Sequence, residues 1–556
     1  MSTPVHQSPA RFELLSSESE PLLAPESDGS PFVSDKRCRT NGGWLVAYLI
    51  VLILVIPGGI YGAHYRNHDF FSKTERRVLQ NPACCPLTTH ARGLKQAASP
   101  SPETKVYHEV MSQGAVWTAC TVLGSLGLGL GFVALVRHHP GLLVGTAVSV
   151  KVLLPVAIAL VLAYYGQGGW AALPLVWAGL LSLALWWYRD QIRQVARLMG
   201  VAGRALVECP GLLGLAVGLQ LALTLAAAPL VAMGVGAYSN GRLIFNPERS
   251  LDPSVPNSSC LDSAGKSVDC CAWETDGWVT PYLALLGLAL SWTVLLVFEI
   301  KVFTVAGTVA QWYFAPATPL GCQPRTPLPA TRVATSLRHA VGPQLGSLCC
   351  SALILTLLSF LRWVTQRVVQ RSNSLLCCLL ASVGRALYSL LEYFTRMVTM
   401  QMALSGLAFM PAAHTVLALL KRNGLDALAV WWLPSFILRS SALVVAAVFG
   451  LAVGLLSVPS QGVSATDKEL EWEGRAGLGY MAFLAAWVVL SFFCALLVNI
   501  MEAVFLCFAI DRERRTVSHL EVHQLFCSLP NIGPVVQQPD GAVMYGMPPR
   551  PIKTEV

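Results

Sequence analysis

Long apolar runs separated by short polar joints make up most of the chain. Ten stretches, 44–64, 114–136, 142–165, 168–188, 211–238, 280–302, 342–363, 397–420, 429–456 and 477–509, are predominantly apolar. Each is long enough, at about 1.5 Å of rise per residue, to cross the roughly 30 Å of hydrocarbon in a bilayer. The pattern predicts an all-α polytopic membrane protein, with about ten transmembrane helices in one bundle. Residues 1–43 are rich in Ser, Pro and Glu and are expected to form a disordered cytoplasmic tail. The first apolar run starts too far into the chain to be a cleaved signal peptide. Residues 65–113 and 239–279 are expected as outer loops, and 510–556 as a C-terminal cytoplasmic tail.

One segment fits neither class. Residues 364–396 are too charged to span and too apolar for a loop, with Leu376, Leu379, Leu380, Val383, Leu387, Leu390 and Leu391 recurring at helical spacing. An amphipathic helix lying on the membrane surface is expected there. Its arginines favour the inner face, whereas the count of spans puts it outside.

Composition sharpens the class. The chain is 54% hydrophobic and 13% charged, with a mean hydropathy of +0.55, where a soluble domain carries about 25% charged residues. The net charge of +8 does not imply nucleic acid, because the basic residues stand singly between apolar runs with no basic face interleaved with aromatics. An even number of spans puts both termini on one side. Arg189, Arg193, Arg197 and Arg204 crowd the linker after the fourth span, and 165–168 has no basic residue, so that side is expected to be cytoplasmic. The sequon at Asn257-Ser258-Ser259 then falls outside, as a glycosylation acceptor should. Cys84, Cys85, Cys260, Cys270 and Cys271 also fall in outer loops, where disulfides persist. Five is an odd number, and the adjacent pairs leave the connectivity open.

No enzyme signature is present: the chain has no GxxxxGK[ST] phosphate loop, no HExxH, no GxSxG elbow and no GxGxxG between a strand and a helix. Neither a catalytic residue, a metal site nor a cofactor is expected. The remaining chemistry is ionisable groups within spans: Lys151, Glu299, Lys301, Arg439 and Glu502. Each such charge costs about 2.5 to 3.5 kcal/mol at a bilayer centre, so it faces a bundle interior, a partner charge or water. Lys301 can snorkel to the interface, and Glu502 can be interfacial. Glu299 fits a bland and a functional reading about equally, and Lys151 and Arg439 lie deepest and are hardest to dismiss, where a structural interhelical pair explains them as well as a transport role.

Several stretches carry a resemblance. VFTVAGTVAQWYFAP resembles the AG-x-x-A-x-W-Y-F/W element of the choline transporter-like solute carriers. SLRHAVGPQLGSLCCSALIL, QMALSGLAFMPAAHTVLALLKRN, NIMEAVFLCFAIDRERR and the basic linker RDQIRQVARLMGVAGRALVECPGLLGLAVGLQ resemble further elements of that family, in its order. Glu502 stands where the family has an aspartate. NGLDALAVWWLPSFILR departs from the family pattern and brings in Trp431, Trp432 and Arg439. The resemblance implies a carrier for choline or a related small organic cation, facilitated or proton-linked and without ATP. Trp312 and Tyr313 are the family-matched aromatics, suited either to a cage around a quaternary ammonium or to an interfacial belt. Glu299 lies about 20 Å from Trp312 on a straight helix, so the two meet at one cation only if Gly307 acts as a hinge.

Two tail signals concern address. Glu18, Leu22 and Leu23 fit an acidic dileucine pattern for a sorting adaptor. Thr554 and Val556 fit a PDZ ligand, captured by strand addition. The expected location is the plasma membrane, with an endolysosomal membrane as the alternative. A membrane scaffold that transports nothing and recruits partners through its tails is the competing function.

Overall fold

The computed structural model describes residues 32, 37–67, 70, 102–246, 268–315, 329–371, 375–422, 424–456, 468–514, 516–527, 535–537 and 543–545. Among them the fold is helical, with α1 at Gly42–His64, α2 at Pro102–His138, α3 at Pro140–Tyr164, α4 at Gly168–Trp187, α5 at Arg189–Glu208 and α6 at Gly211–Tyr238. A two-stranded antiparallel hairpin follows, β1 (Gly241–Phe245) on β2 (Cys271–Thr275), with Gly241 opposite Thr275 and Phe245 opposite Cys271. Then come α7 at Val279–Tyr313, α8 at Pro329–Val341, α9 at Leu345–Arg371, α10 at Leu375–Ser405, α11 at Phe409–Arg422, α12 at Gly424–Leu456, α13 at Lys468–Arg514 and α14 at Leu520–Cys527. A second small hairpin pairs β3 (Val535–Gln537) with β4 (Val543–Tyr545). Among the described residues, nine helices are long and apolar enough to cross a membrane, and a tenth span forms if the bent pair 381–405 and 409–421 is counted as one.

The centre of the bundle is α7, which touches α1, α6, α8, α9, α10 and α13. Its second half is buried on every side, from Val302 to Ala310 without a break. Small residues make this possible. A Cβ added at Gly307 would lie 2.8 Å from Ser336 Oγ of α8, so only glycine allows that approach. The hydroxyls of Thr304 and Thr308 return to the carbonyls of Ile300 and Thr304, which removes their need for an outside partner. Outward faces of α3, α4 and α6 expose Leu153, Leu160, Trp177 and Leu225, as a lipid-facing surface does.

Four expectations are corrected. The central helix runs unbroken through Gly307 to Tyr313, so Gly307 is a close-packing point and not a hinge. The segment 364–396 is not one surface helix: its first part belongs to α9 and the rest to α10, which run antiparallel, with Ser351 bonded to Thr399 and Thr365 to Tyr388. The eighth span, expected over 397–420, is bent by 109° between α10 and α11. Gly406 takes φ +72 at that bend, a conformation that costs glycine nothing, and its carbonyl accepts Gln344 Nε2 at 2.6 Å.

The fourth concerns the N-terminal tail, whose last residues are packed structure. Arg37 Nη2 donates to Ala403 O at 2.8 Å and Nη1 to Met402 O at 3.4 Å, on carbonyls of the last turn of α10. Burial pulls the Arg37 guanidinium down to about 10. Thr40 Oγ1 and Asn41 Nδ2 bond Ser347 Oγ, and Gly346 lets the 40–41 backbone approach α9.

Candidate functional site

Between α7, α9, α10, α12 and α13 lies a cavity of about 340 Å³. Its wall combines Phe298 and Leu295 of α7, Arg362 and Ser359 of α9, Tyr388, Glu392 and Arg396 of α10, Ser435 and Arg439 of α12, and Asn499 of α13. Glu392 and Arg396 stand one turn apart on α10, so their side chains share a face and meet, Nη2 to Oε1 at 2.6 Å. Arg362 reaches the other Glu392 oxygen at 3.8 Å and donates to Ser389 Oγ at 3.2 Å. The Phe298 ring lies under two cations, with Lys301 Nζ 5.1 Å and Arg396 Cζ 5.4 Å from its centroid. Both distances fall within the range in which a ring quadrupole attracts a cation.

Two carboxylates sit beside this cavity inside the bundle. Glu299 follows Phe298 on α7 and is fully buried. Its Oε2 accepts Ser351 Oγ at 2.8 Å from α9 and the Thr399 hydroxyl from α10, and Oε1 has no partner among the described residues. Glu502 of α13 is 2% exposed, and its Oε2 likewise has no partner among the described residues. The Arg396 guanidinium is the electrostatic neighbour common to Glu502, Glu392 and Glu299. Buried carboxylates of this kind persist only where hydroxyl donors or a cation offset their lost hydration.

The residues singled out from sequence divide into three groups. Glu299, Glu502 and Arg439 come together at or beside the cavity. Lys151 of α3 does not line it; its ammonium lies over the ring of Phe436 on α12. Trp312 and Tyr313 stand at the far end of α7 and form no cage around this cavity. Trp312 Nε1 donates to Glu208 Oε2 at 2.6 Å and its ring lies 5.0 Å from that of His519. The Tyr313 hydroxyl pairs with His523 Nε2 at 3.2 Å, and His523 in turn meets Asp511 Oδ2 at 3.0 Å. These aromatics dock the C-terminal segment onto α5 and α7, supported at the rim by Arg204 and Glu521 at 2.8 Å.

Sequence reasoning missed Arg362, Glu392, Arg396, Asn499 and Phe298. The usable signal was the i, i+4 pair Glu392–Arg396 immediately before a run of apolar residues, which marks a charge pair drawn into a span. Cys270 and Cys271 are buried against Leu243 of the hairpin. Asn257, Cys84, Cys85, Cys260, Glu18, Leu22, Leu23, Thr554 and Val556 lie outside the described residues.

Comparison with known proteins agrees with the five resemblances. The family described as plasma-membrane choline transporter matches residues 172–513. Choline transporter-like 1 of Aedes aegypti is 23% identical over 60% of this chain and 48% of its own length. Choline transporter-like protein 1 of Xenopus laevis is 22% identical over 41% of this chain and 33% of its own. A shorter match to Protein PNS1 of Cryptococcus neoformans reaches 33% identity over 22% of this chain. The chain spans about half the length of the mosquito relatives it matches, 48% and 49%. With an all-helical bundle of nine or ten candidate spans and a family match over most of it, the chain belongs to the choline transporter-like family of multi-pass membrane carriers.

Proposed function

We propose that the chain moves choline or a related small organic cation through the bundle, by way of the cavity at Phe298. The observation that carries this reading is the Phe298 ring with two cations already stacked against it, beside the buried carboxylates Glu299 and Glu502. Such a position attracts a soft organic cation through the ring face and holds it by charge from behind. Arg396 is then the cation with which an arriving substrate competes for Glu502 and Glu299. Glu299 Oε1, with no donor among the described residues, is the position at which a proton can be carried in a proton-linked flux. Relatives named for choline transport support the substrate class.

In the same reading both termini face the cytoplasm, the carrier works in the plasma membrane, and Asn257 is its glycosylation site. Thr554 with Val556 recruits a PDZ domain, and Glu18 with Leu22 and Leu23 a sorting adaptor.

The test is labelled choline uptake into proteoliposomes holding the full chain. Saturable flux is expected, with Glu299→Gln reducing it at least tenfold at unchanged protein level. Absence of saturable flux, with tail ligands still bound, would overturn the carrier in favour of a scaffold.

A further inference from the structure

Residues lining the cavity assigned to substrate hold buried hydrogen-bond donors with no acceptor among the described residues. Asn499 is 2% exposed, yet its Nδ2 has no acceptor among the described residues, and Arg396 Nε has none either. Arg439 lines the same wall with no ion-pair partner among the described residues. The one carboxylate on the wall, Glu392, is engaged already, by Arg396 at one oxygen and Arg362 at the other. Three guanidiniums therefore face the cavity against one carboxylate. The unmet acceptors, Glu299 Oε1 and Glu502 Oε2, lie beside it.

A bare monovalent cation fits half of this arrangement. It would find the Phe298 ring and the two carboxylates, while Arg439 repelled it and Asn499 stayed unsatisfied, and a buried polar group left without a partner is costly. A ligand with an anionic oxygen group as well as a cationic head answers both sets. Anionic oxygens prefer guanidinium forks and amide N–H donors, and a cavity of about 340 Å³ is in the size range that holds a small metabolite.

We infer that the cavity selects a zwitterion: a quaternary or similar organic cation carrying a phosphate or carboxylate, whose oxygens engage Arg439, Asn499 Nδ2 and Arg396 Nε. Its cationic head points toward Phe298 and the carboxylates of Glu299 and Glu502. This rests on the carrier reading for the choice of cavity and narrows its substrate class.

The experiment is binding to the purified full-length chain in detergent, with radiolabelled choline, phosphocholine and glycine betaine as probes. One of the two zwitterions is expected to bind at least tenfold tighter than choline. Phosphocholine as the tighter ligand assigns the anionic group to phosphate, and betaine assigns it to carboxylate. Arg439→Gln and, separately, Asn499→Ala should bring that preference within threefold, with each variant's thermal unfolding checked in the same detergent. If one variant fails to fold, the other decides. Choline binding as tight as both zwitterions, or a preference that survives substitution, overturns the inference. Uptake of labelled choline, phosphocholine and glycine betaine run in parallel judges the carrier reading separately: a zwitterion preference without flux of any of the three sinks transport and keeps the site, and flux without preference does the reverse.

Discussion

Arg396 Nη2 lies 2.6 Å from Glu392 Oε1 on the same helix, and the guanidinium also faces Glu502 and Glu299 on two others. One cation thus faces three carboxylates, of which Glu392 has Arg362 as a second partner. Replacing it with methionine keeps the volume and takes from the buried Glu299 and Glu502 the guanidinium they share, a change that costs about 3 to 5 kcal/mol for a buried pair. Arg396→Met is expected to unfold at markedly lower temperature in detergent and to fall in abundance. Adding Glu502→Gln to that variant should restore part of the loss, because it removes one of the stranded charges. A double variant no more stable than the single one would show that Glu502 and Arg396 are not coupled.

Gly307 allows α8 to press against α7, and alanine there tests packing against hinging. The new Cβ would fall 2.8 Å from Ser336 Oγ and 3.2 Å from Ser336 Cβ. The clash is with a buried serine on a packed helix, so overpacking of about 1 to 3 kcal/mol outweighs the roughly 1 kcal/mol that alanine gains over glycine in a helix. Gly307→Ala should therefore lower thermal stability. Ser336→Ala in the same chain should recover some of it, since the oxygen is the nearest atom. Unchanged stability together with lost transport would return Gly307 to the role of a hinge.

Much of the fold was legible in the pattern of apolar runs, because burial in lipid demands a continuous apolar helix and leaves few alternatives. Nine expected spans have their helices, with ends shifted where helices continue past the hydrocarbon, as α7 does to Tyr313 and α13 to Arg514. The segment 364–396 was misread for a physical reason. Arg362, Glu392 and Arg396 lower the hydropathy in and just before it, but they neutralise one another across α9 and α10 and line a cavity, so they enter the bundle together. A linear reading charges each its full cost and places the helix on the surface. The site was half legible for the same reason: Glu299, Glu502 and Arg439 stood out as lone charges in apolar runs, while their partners hid in a segment that looked polar. Trp312 and Tyr313 were visible as a motif, but nothing linear connects them to Glu208, His519 and His523.

Trp312 holds the C-terminal segment through Glu208 and His519, about 20 Å along α7 from Glu299. Trp312→Phe keeps a ring and removes the Nε1 donor. The hydrogen bond to a charged acceptor that it loses contributes about 1.5 to 3 kcal/mol at most, less where water reaches it. Faster amide hydrogen exchange in residues 516–527 is expected, with the half-saturation of choline uptake within twofold of the parent. A large rise in that half-saturation, with exchange unaltered, would place Trp312 in the substrate path after all.

The same docking responds to pH through His519. Burial lowers its pKa below the ordinary histidine value, Arg204 and His523 act in the same direction, and Glu521 and Glu208 oppose them. Its Nδ1 has no partner among the described residues, so a proton added there would be both buried and unsatisfied. With a lowered value in the docked state, the undocked segment binds the proton more readily, and stability rises with pH wherever that difference operates. Docking is therefore fully held above about pH 6.5, the ordinary histidine value, and weakens as pH falls through the lower value of docked His519. Hydrogen exchange of residues 516–527, corrected for the intrinsic pH dependence of exchange, should show falling protection from pH 7.5 to 5.5. His519→Gln should flatten that profile while His523, Asp511 and Tyr313 keep their contacts. A profile equally steep in the variant would show that His519 does not carry the pH response.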